Sequence, residues 1–388
     1  MLPEYWEYSL PTRIVAGAGV LRDLEKEILA KGKNRVFLIT DKHLESLGYI
    51  DRVVNALKAV EVVGVFDEVT PDSEVKLVER GAHLARQAGA DYLLALGGGS
   101  CIDTAKAINV VLSLGGNLLD YQGFNQINQP LYPLGAIPTT AGTGSEVTQF
   151  ALVLDRDQKS KITFLSPRLV PSLALLDPEL TLTLPPFMTA ASGMDALGHA
   201  VESYVSISTN PLARGLAAEA AALIFTHLER AVRDGKDVQD RLGMLLASNL
   251  AGQAFSYTMV GCAHALAHAL GGLTGMPHAL AVGLMLPYVI LYNGEDQGYQ
   301  LYEDLTLRLF GIRGKESHRV LADKVRQLTA RCKLPGSLAE AGLNGEDIPA
   351  VAELALTDGA LYTNPREAGE EELLALLNAA YEGKGTIN

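Results

Sequence analysis

Tyr92-Leu93-Leu94-Ala95-Leu96-Gly97-Gly98-Gly99-Ser100-Cys101-Ile102-Asp103-Thr104-Ala105-Lys106 decides the fold. Five apolar residues in a row read as a strand buried on both faces, which parallel sheets require. The glycines that follow end the strand, and Cys101 through Asn109 reads as helix. A strand that passes through glycine into a helix leaves bare backbone N–H groups at a positive helix end, a site suited to phosphate. Gly98 and Gly99 let the main chain approach a ligand, and Ser100 is placed to cap the helix or bond a phosphate oxygen.

Outward from this stretch the same alternation repeats. Arg35-Val36-Phe37-Leu38-Ile39 reads as a buried strand and Leu44–Val60 as a helix. Val62–Phe66 reads as the next strand and Ser73–Gln87 as the next helix, with Ser73 as N-cap. Alternating elements of this length predict a parallel sheet with helices on both faces, an α/β dinucleotide-binding domain over residues 1–185. Pro185-Pro186 marks the boundary, because tandem proline continues neither a ladder nor a helix interior. Beyond it, Ala- and Leu-rich stretches with helical spacing run from Ala190 to Ser206, Pro211 to Asp234, Val238 to Phe255 and Cys262 to Leu273. Others span Ala279–Tyr292, Glu316–Cys332 and Glu370–Tyr381, so residues 186–388 read as an all-helical domain.

A second small-residue loop, Pro138-Thr139-Thr140-Ala141-Gly142-Thr143-Gly144-Ser145, follows the apolar stretch Leu134–Ile137. Two such loops suit a dinucleotide with two ends to hold. Asp41 closes the first strand, where an acidic side chain pairs with an adenosine ribose hydroxyl and repels a 2′-phosphate, so NAD is favoured over NADP.

The helical half holds the metal candidates. Asp195 and His199 are four apart, as are His264 and His268, and His278 follows ten residues later. Residues four apart share a helix face. Polar groups in such apolar helices are costly unless paired or coordinated, and imidazole with carboxylate suits a divalent transition metal. Spacing alone admits His268 as a ligand beside His264.

The 388 residues carry a net charge of −13, which argues against nucleic acid and anionic membrane as partners. Cys101, Cys262 and Cys332 form no disulfide or metal pattern, as in a reducing compartment. The amino terminus has no basic and then apolar run of a signal peptide, and no apolar run reaches the ~18 residues of a spanning helix. A cytoplasmic protein is expected.

Together these residues resemble the iron-containing (group III) alcohol dehydrogenase family over essentially the full length. The stretch Gly97–Lys106 is similar to its GGGSxxDxAK element, and Pro138–Thr148 to its second loop. Gly193–Tyr204 resembles its first metal motif, His264–His278 its second, and Thr363-Asn364-Pro365-Arg366 also matches. The resemblance implies a metal held by Asp195, His199, His264 and His278, with Fe²⁺ the usual ion and Zn²⁺ or another divalent ion as alternatives. It moves His268 off the metal to a place beside the nicotinamide, as a proton-relay or positioning residue. It implies NAD contacts at Asp41, Asp72, Gly98, Gly99, Ser100, Asp103, Thr139, Thr140, Thr143 and Lys161, with Lys161 reaching the nicotinamide-side ribose. Asp72 stands where many relatives have asparagine, and Ala279 where glycine is usual. Gln149 stands where a smaller residue is frequent and Tyr257 where asparagine is common, and both, with Phe255, are expected on the substrate side. The function implied is reversible, NAD-dependent oxidation of small alcohols or diols by a homodimer or larger homo-oligomer. Rival readings on the same fold are a zinc glycerol dehydrogenase and a dehydroquinate-synthase-like lyase. The lyase would need a basic pocket, and no Lys/Arg cluster accompanies the metal motifs. A non-catalytic binding protein is the third reading, disfavoured by the complete ligand set.

Overall fold

The computed structural model describes residues 5–71, 73–156, 160–295 and 298–384. The chain divides into two compact units, Ser9–Leu184 and a second that begins at Pro185 and includes a short segment ending at Tyr8.

The first unit runs β1 (Arg13–Ala16), α1 (Leu24–Leu29), β2 (Arg35–Ile39), α2 (Lys42–Ser46), α3 (Tyr49–Ala56), β3 (Glu61–Phe66), α4 (Val75–Gln87), β4 (Tyr92–Gly97) and α5 (Gly99–Leu114). It continues through β5 (Gly123–Phe124), β6 (Leu134–Pro138), β7 (Phe150–Asp155), β8 (Ser160–Leu165) and β9 (Leu173–Leu176). Six strands form one sheet in the order β1-β9-β6-β4-β2-β3, every neighbouring pair parallel. Alternate residues of a strand face opposite sides, and both sides are apolar here. Phe37, Ile39, Leu93 and Ala95 pack with Val78 and Ile108 of α4 and α5. Val36, Leu38, Leu94 and Leu96 pack with Leu24, Leu44 and Val53 of α1, α2 and α3. That two-sided burial is why the strands read as unbroken apolar runs.

Chain order reverses between β2 and β4, since β3 lies outside β2 while β6 and β9 lie beyond β4. Open parallel sheets bind ligands at such a switch point, off the strands' carboxyl ends. Asp41 and the glycines after β4 stand there.

Several local expectations change. The helix expected over Leu44–Val60 is two helices, α2 and α3, because Gly48 takes φ 75° between them. Ser73 does not cap α4: its Oγ donates to the Thr70 carbonyl, and Glu74 is the extended residue before Val75. Ser100 is no cap either; α5 starts at Gly99 behind the extended Gly98 and continues past Asn109 to Leu114. A second sheet, in the order β5-β8-β7, contains the antiparallel β7–β8 pair, which the strand–helix alternation does not announce.

The second unit is helical: α6 (Pro186–Val205), α7 (Pro211–Arg233), α8 (Val238–Thr258), α9 (Cys262–Thr274), α10 (His278–Gly294), α11 (Tyr299–Phe310), α12 (Ser317–Arg331), α13 (Ile348–Ala355) and α14 (Glu370–Glu382). Proline at the first position of α6 and α7 costs no hydrogen bond, since that N–H has no intrahelical partner. Asn210 caps α7 by accepting from the Leu212 and Ala213 amides. Gly198 is required by packing. A Cβ there would sit 2.3 Å from Val282 Cγ1 and 3.3 Å from His264 Cε1, so α6 must be bare for α9 and α10 to close on it. Among the described residues no helix is long and apolar enough to cross a membrane.

Candidate metal centre and nucleotide loops

Asp195 and His199 project from one face of α6, His264 from the first turn of α9, and His278 is the first residue of α10. His264 Nε2 and His278 Nε2 each lie 3.6 Å from Asp195 Oδ1. Ligand atoms of Asp195, His199 and His264 all fall within 4.8 Å of one another. An ion bound tetrahedrally at ~2.1 Å by such donors separates them by about 3.4 Å, close to these spacings. Asp195 Oδ1 and His264 Nε2 are buried and make no hydrogen bond. A native interior rarely leaves two such atoms facing each other, and an ion between them accounts for both. The residues therefore fit a divalent metal.

Electrostatics agree. Burial alone would raise the Asp195 carboxyl, but His199, His264 and His278 outweigh it and hold it well below the usual carboxylate range. Burial opposes charge on His264, yet the Glu202 charge, the hydrogen bond to Glu202 and the Asp195 charge push it up to about 9. Burial dominates at His278 and takes it well below the ordinary histidine value.

Glu202 is a site residue that sequence reading missed. Its Oε2 accepts from His264 Nδ1 and from the Gly261 amide at 2.9 Å, and its Oε1 accepts from the Ala263 amide at 2.7 Å. One buried carboxylate thus caps α9 and fixes which nitrogen of His264 faces Asp195. The signal was present: Glu202 lies three residues after His199 and seven after Asp195, a charge on the same face of an apolar helix. Asn364 shares the capping, accepting from the Cys262 amide at 3.2 Å, while Thr363 Oγ1 donates to the Val260 carbonyl. The Thr363–Arg366 motif so secures the start of the metal helix.

His268 is placed differently from the other histidines. Its ring stacks on His278 at 5.1 Å and 14°, and its Nδ1 is 2.7 Å from Asp358 Oδ2. Neither it nor His278 belongs to the closest group, Asp195, His199 and His264, but His278 Nε2 reaches Asp195 while His268 Nδ1 turns to Asp358. Helical spacing puts it on the face of His264, but a shared face does not fix where a ring nitrogen points. Phe255 stacks on His199 at 4.2 Å and 14°. Tyr257 packs instead against Tyr8 at 4.7 Å, and Tyr8 donates to Gln253. Gln149 lies in the other unit, just before β7.

In the first unit the two loops touch. The Thr139 amide donates to the Gly97 carbonyl at 3.1 Å, and Gly97 takes φ 149°. A Cβ on Gly98 would meet Thr140 Oγ1 at 3.1 Å, and one on Gly99 would meet Thr143 Cγ2 at 2.8 Å. Only glycine lets Thr139, Thr140 and Thr143 draw up beside the amino end of α5 and Ser100. Asp103 serves as a strut here: it accepts from Ser145 Oγ and from the Leu152 amide. Lys106, fully buried and also missed in the sequence, donates to Ser145 Oγ, to Thr148 Oγ1 and to the Thr148 and Phe150 carbonyls. Its burial brings its pKa down to about 8 despite Asp103 and Glu146 nearby, and burial raises Asp103. Lys161 lies on β8, paired with Leu154. Asp41 caps α2 through the Leu44 amide and receives the Cys101 thiol at 3.5 Å. Asp72 lies outside the described residues.

Comparison with known proteins converges on one family. Residues 11–178 match the iron-containing alcohol dehydrogenase model, and residues 189–381 match the carboxyl-terminal model of the Fe-containing alcohol dehydrogenase family. The chain is 34% identical over 382 residues to the 1,3-propanediol dehydrogenase of Klebsiella pneumoniae, covering 97% of this chain and 99% of that protein. The solved structure of a 1,3-propanediol oxidoreductase superposes with a TM-score of 0.93 at 33% identity, over 97% of this chain and 100% of that one. Sulfoacetaldehyde reductase from Bifidobacterium kashiwanohense, solved in complex with NAD⁺, gives 0.89 at 30% identity over 97% and 99%. With both halves matched in order and relatives aligned nearly end to end, the chain belongs to the iron-containing alcohol dehydrogenase family and is an alcohol dehydrogenase.

Proposed function

We propose that the protein interconverts small alcohols or diols with their aldehydes or ketones, using NAD and one divalent ion, Fe²⁺ by family and Zn²⁺ by equal suitability of the donors. The observation that carries this reading is the meeting of Asp195, His199, His264 and His278, with Asp195 Oδ1 and His264 Nε2 buried and unbonded. When bound, the ion supplies Lewis acidity to the substrate oxygen and the nicotinamide supplies the hydride acceptor. The chain supplies the rest. Residues 186–388 hold the ion and orient its ligands through Glu202. His268 takes the proton released by the alcohol at Nε2, the nitrogen that Asp358 leaves unengaged. Phe255, stacked on His199, walls the ligand set from water on that side. Residues 1–185 bind the dinucleotide: Gly98, Gly99, Ser100, Thr139, Thr140 and Thr143 cradle its phosphates at the helix end, and Asp41 takes the adenosine ribose. Lys161 is assigned to the nicotinamide-side ribose, and Asp103 acts on the cofactor through the loop it holds. Phe255 and Tyr257 are assigned to the substrate side of the helical unit. The K. pneumoniae relative's name supports a diol among the substrates.

The test is NADH formation with ethanol, butanol, 1,2- and 1,3-propanediol, glycerol and methanol, before and after metal removal and with each ion restored. Activity should vanish with the metal and return with Fe²⁺ or Zn²⁺. Turnover that survives complete removal would refute the assignment. His264→Ala should lose bound metal, whereas His268→Ala should keep it and lose rate.

A further inference from the structure

The turn after α13 has no assigned part in the chemistry, yet it is fastened to α9 at both ends. At one end, Asn364 accepts from the Cys262 amide and Thr363 Oγ1 donates to the Val260 carbonyl. At the other, Asp358 reaches His268, six residues further along α9, or ~9 Å at 1.5 Å per residue. Between them Gly359–Thr363 forms a single 3₁₀ turn, capped by Asp358 Oδ1 accepting from the Ala360 amide at 2.8 Å. The two oxygens of Asp358 thus have separate partners: Oδ1 takes the main chain, Oδ2 takes the imidazole. The ring of His268 is held in its plane by stacking on His278 and along one edge by Asp358, so only the Nε2 edge remains for exchange.

We propose that Asp358 is a positioning residue for His268, and that it does for this histidine what a buried carboxylate does for the base of a hydrolase triad. Its Oδ2 keeps the ring proton on Nδ1. Nε2 then carries the lone pair, accepts the alcohol's proton as hydride leaves for the cofactor, and returns it in the reverse direction. The inference rests on the proton-relay role given to His268 above.

Asp358→Asn separates the two oxygens. The introduced carbonyl goes to the Ala360 amide, and the NH₂ is left facing His268 Nδ1. The ring must then accept at Nδ1 and carry its proton on Nε2, where it blocks uptake. Asp358→Ser is the companion variant, since serine caps a helical turn well but is too short to reach His268. Both should lower kcat by 10- to 100-fold, with alcohol KM and bound metal changed less than threefold. Combined with His268→Ala, neither should add more than a twofold further loss. ¹⁵N spectra should show the His268 proton on Nδ1 in the parent and on Nε2 in Asp358→Asn. Should His268→Ala lose rate while both Asp358 variants keep more than half of it, the inference is overturned. A loss that multiplies with His268→Ala overturns it too, because Asp358 would then act through the turn alone. Full rate in His268→Ala refutes the relay itself, a separate outcome.

Discussion

Replacing Glu202 by glutamine changes one atom in the centre of the helical unit and should be felt twice. The native carboxylate accepts from the Gly261 amide, the Ala263 amide and His264 Nδ1, all buried. Glutamine offers one oxygen, so at least one donor must face an NH₂. A buried donor left unmet costs about 1–3 kcal/mol. The bonds that remain lose their charge-assisted character, roughly half their strength. The metal-free variant should therefore unfold about 3 kcal/mol more easily, a large part of the ~5–15 kcal/mol that stabilises a typical protein. The second effect is on the ion. A carboxylate behind a ligating histidine sets its tautomer and basicity, and its loss typically weakens metal binding about 10- to 100-fold. Urea unfolding of the metal-free protein reads the first effect, and competition against a chelator of known affinity reads the second. Asn364→Ala is the control, because it removes the Cys262 cap but leaves His264 alone. It should lower stability and leave metal affinity within about threefold. Superimposable chelator curves for Glu202→Gln and the parent would refute the role given to Glu202.

Two further perturbations test the other unit. Asp41→Gly should shift the NAD/NADP ratio of kcat/KM toward NADP and cost only roughly a few tenths of a kcal/mol in stability, since glycine is itself tolerated at the α2 cap; an unaltered ratio would remove Asp41 as the selector. Lys106 titrates at about 8 in the folded protein against an ordinary 10.5, so between those values the unfolded chain binds more protons and stability rises with pH. The slope should approach ~1.4 kcal/mol per pH unit, and urea midpoints of Lys106→Met from pH 7.5 to 10 should lack it. Parallel curves for parent and variant would count against the buried ammonium.

What was legible in the sequence followed from periods and from charge in apolar surroundings. Tyr92–Gly97 announced a central strand because both its faces are buried, and Gly97–Ser100 announced the helix start because nothing larger fits against Thr140 and Thr143. Asp195, His199 and His264 stood out as polar groups with no reason to be there but a ligand. The antiparallel β7–β8 pair did not: its alternate residues are exposed or half-exposed, so it lacks the unbroken apolar run of the central strands. His268 was ambiguous because helical spacing fixes a face, not the direction of a ring. Asp358 was invisible, since the partner that gives it meaning lies 90 residues away. Lys106 could have been found by asking what a lysine between Ala105 and Ala107 on a buried helix would bond to.

The cap at the start of α9 has a consequence for biosynthesis. A chain leaving the ribosome has exposed His199, His264 and His278 well before Asn364 exists to close over the Cys262 amide, 102 residues downstream. The start of the metal helix is thus closed only after the last of the ligands has long emerged. A product cut short before Asn364 would carry every ligand on a helix whose first turn lacks one of its caps, and should bind the ion while folding less firmly.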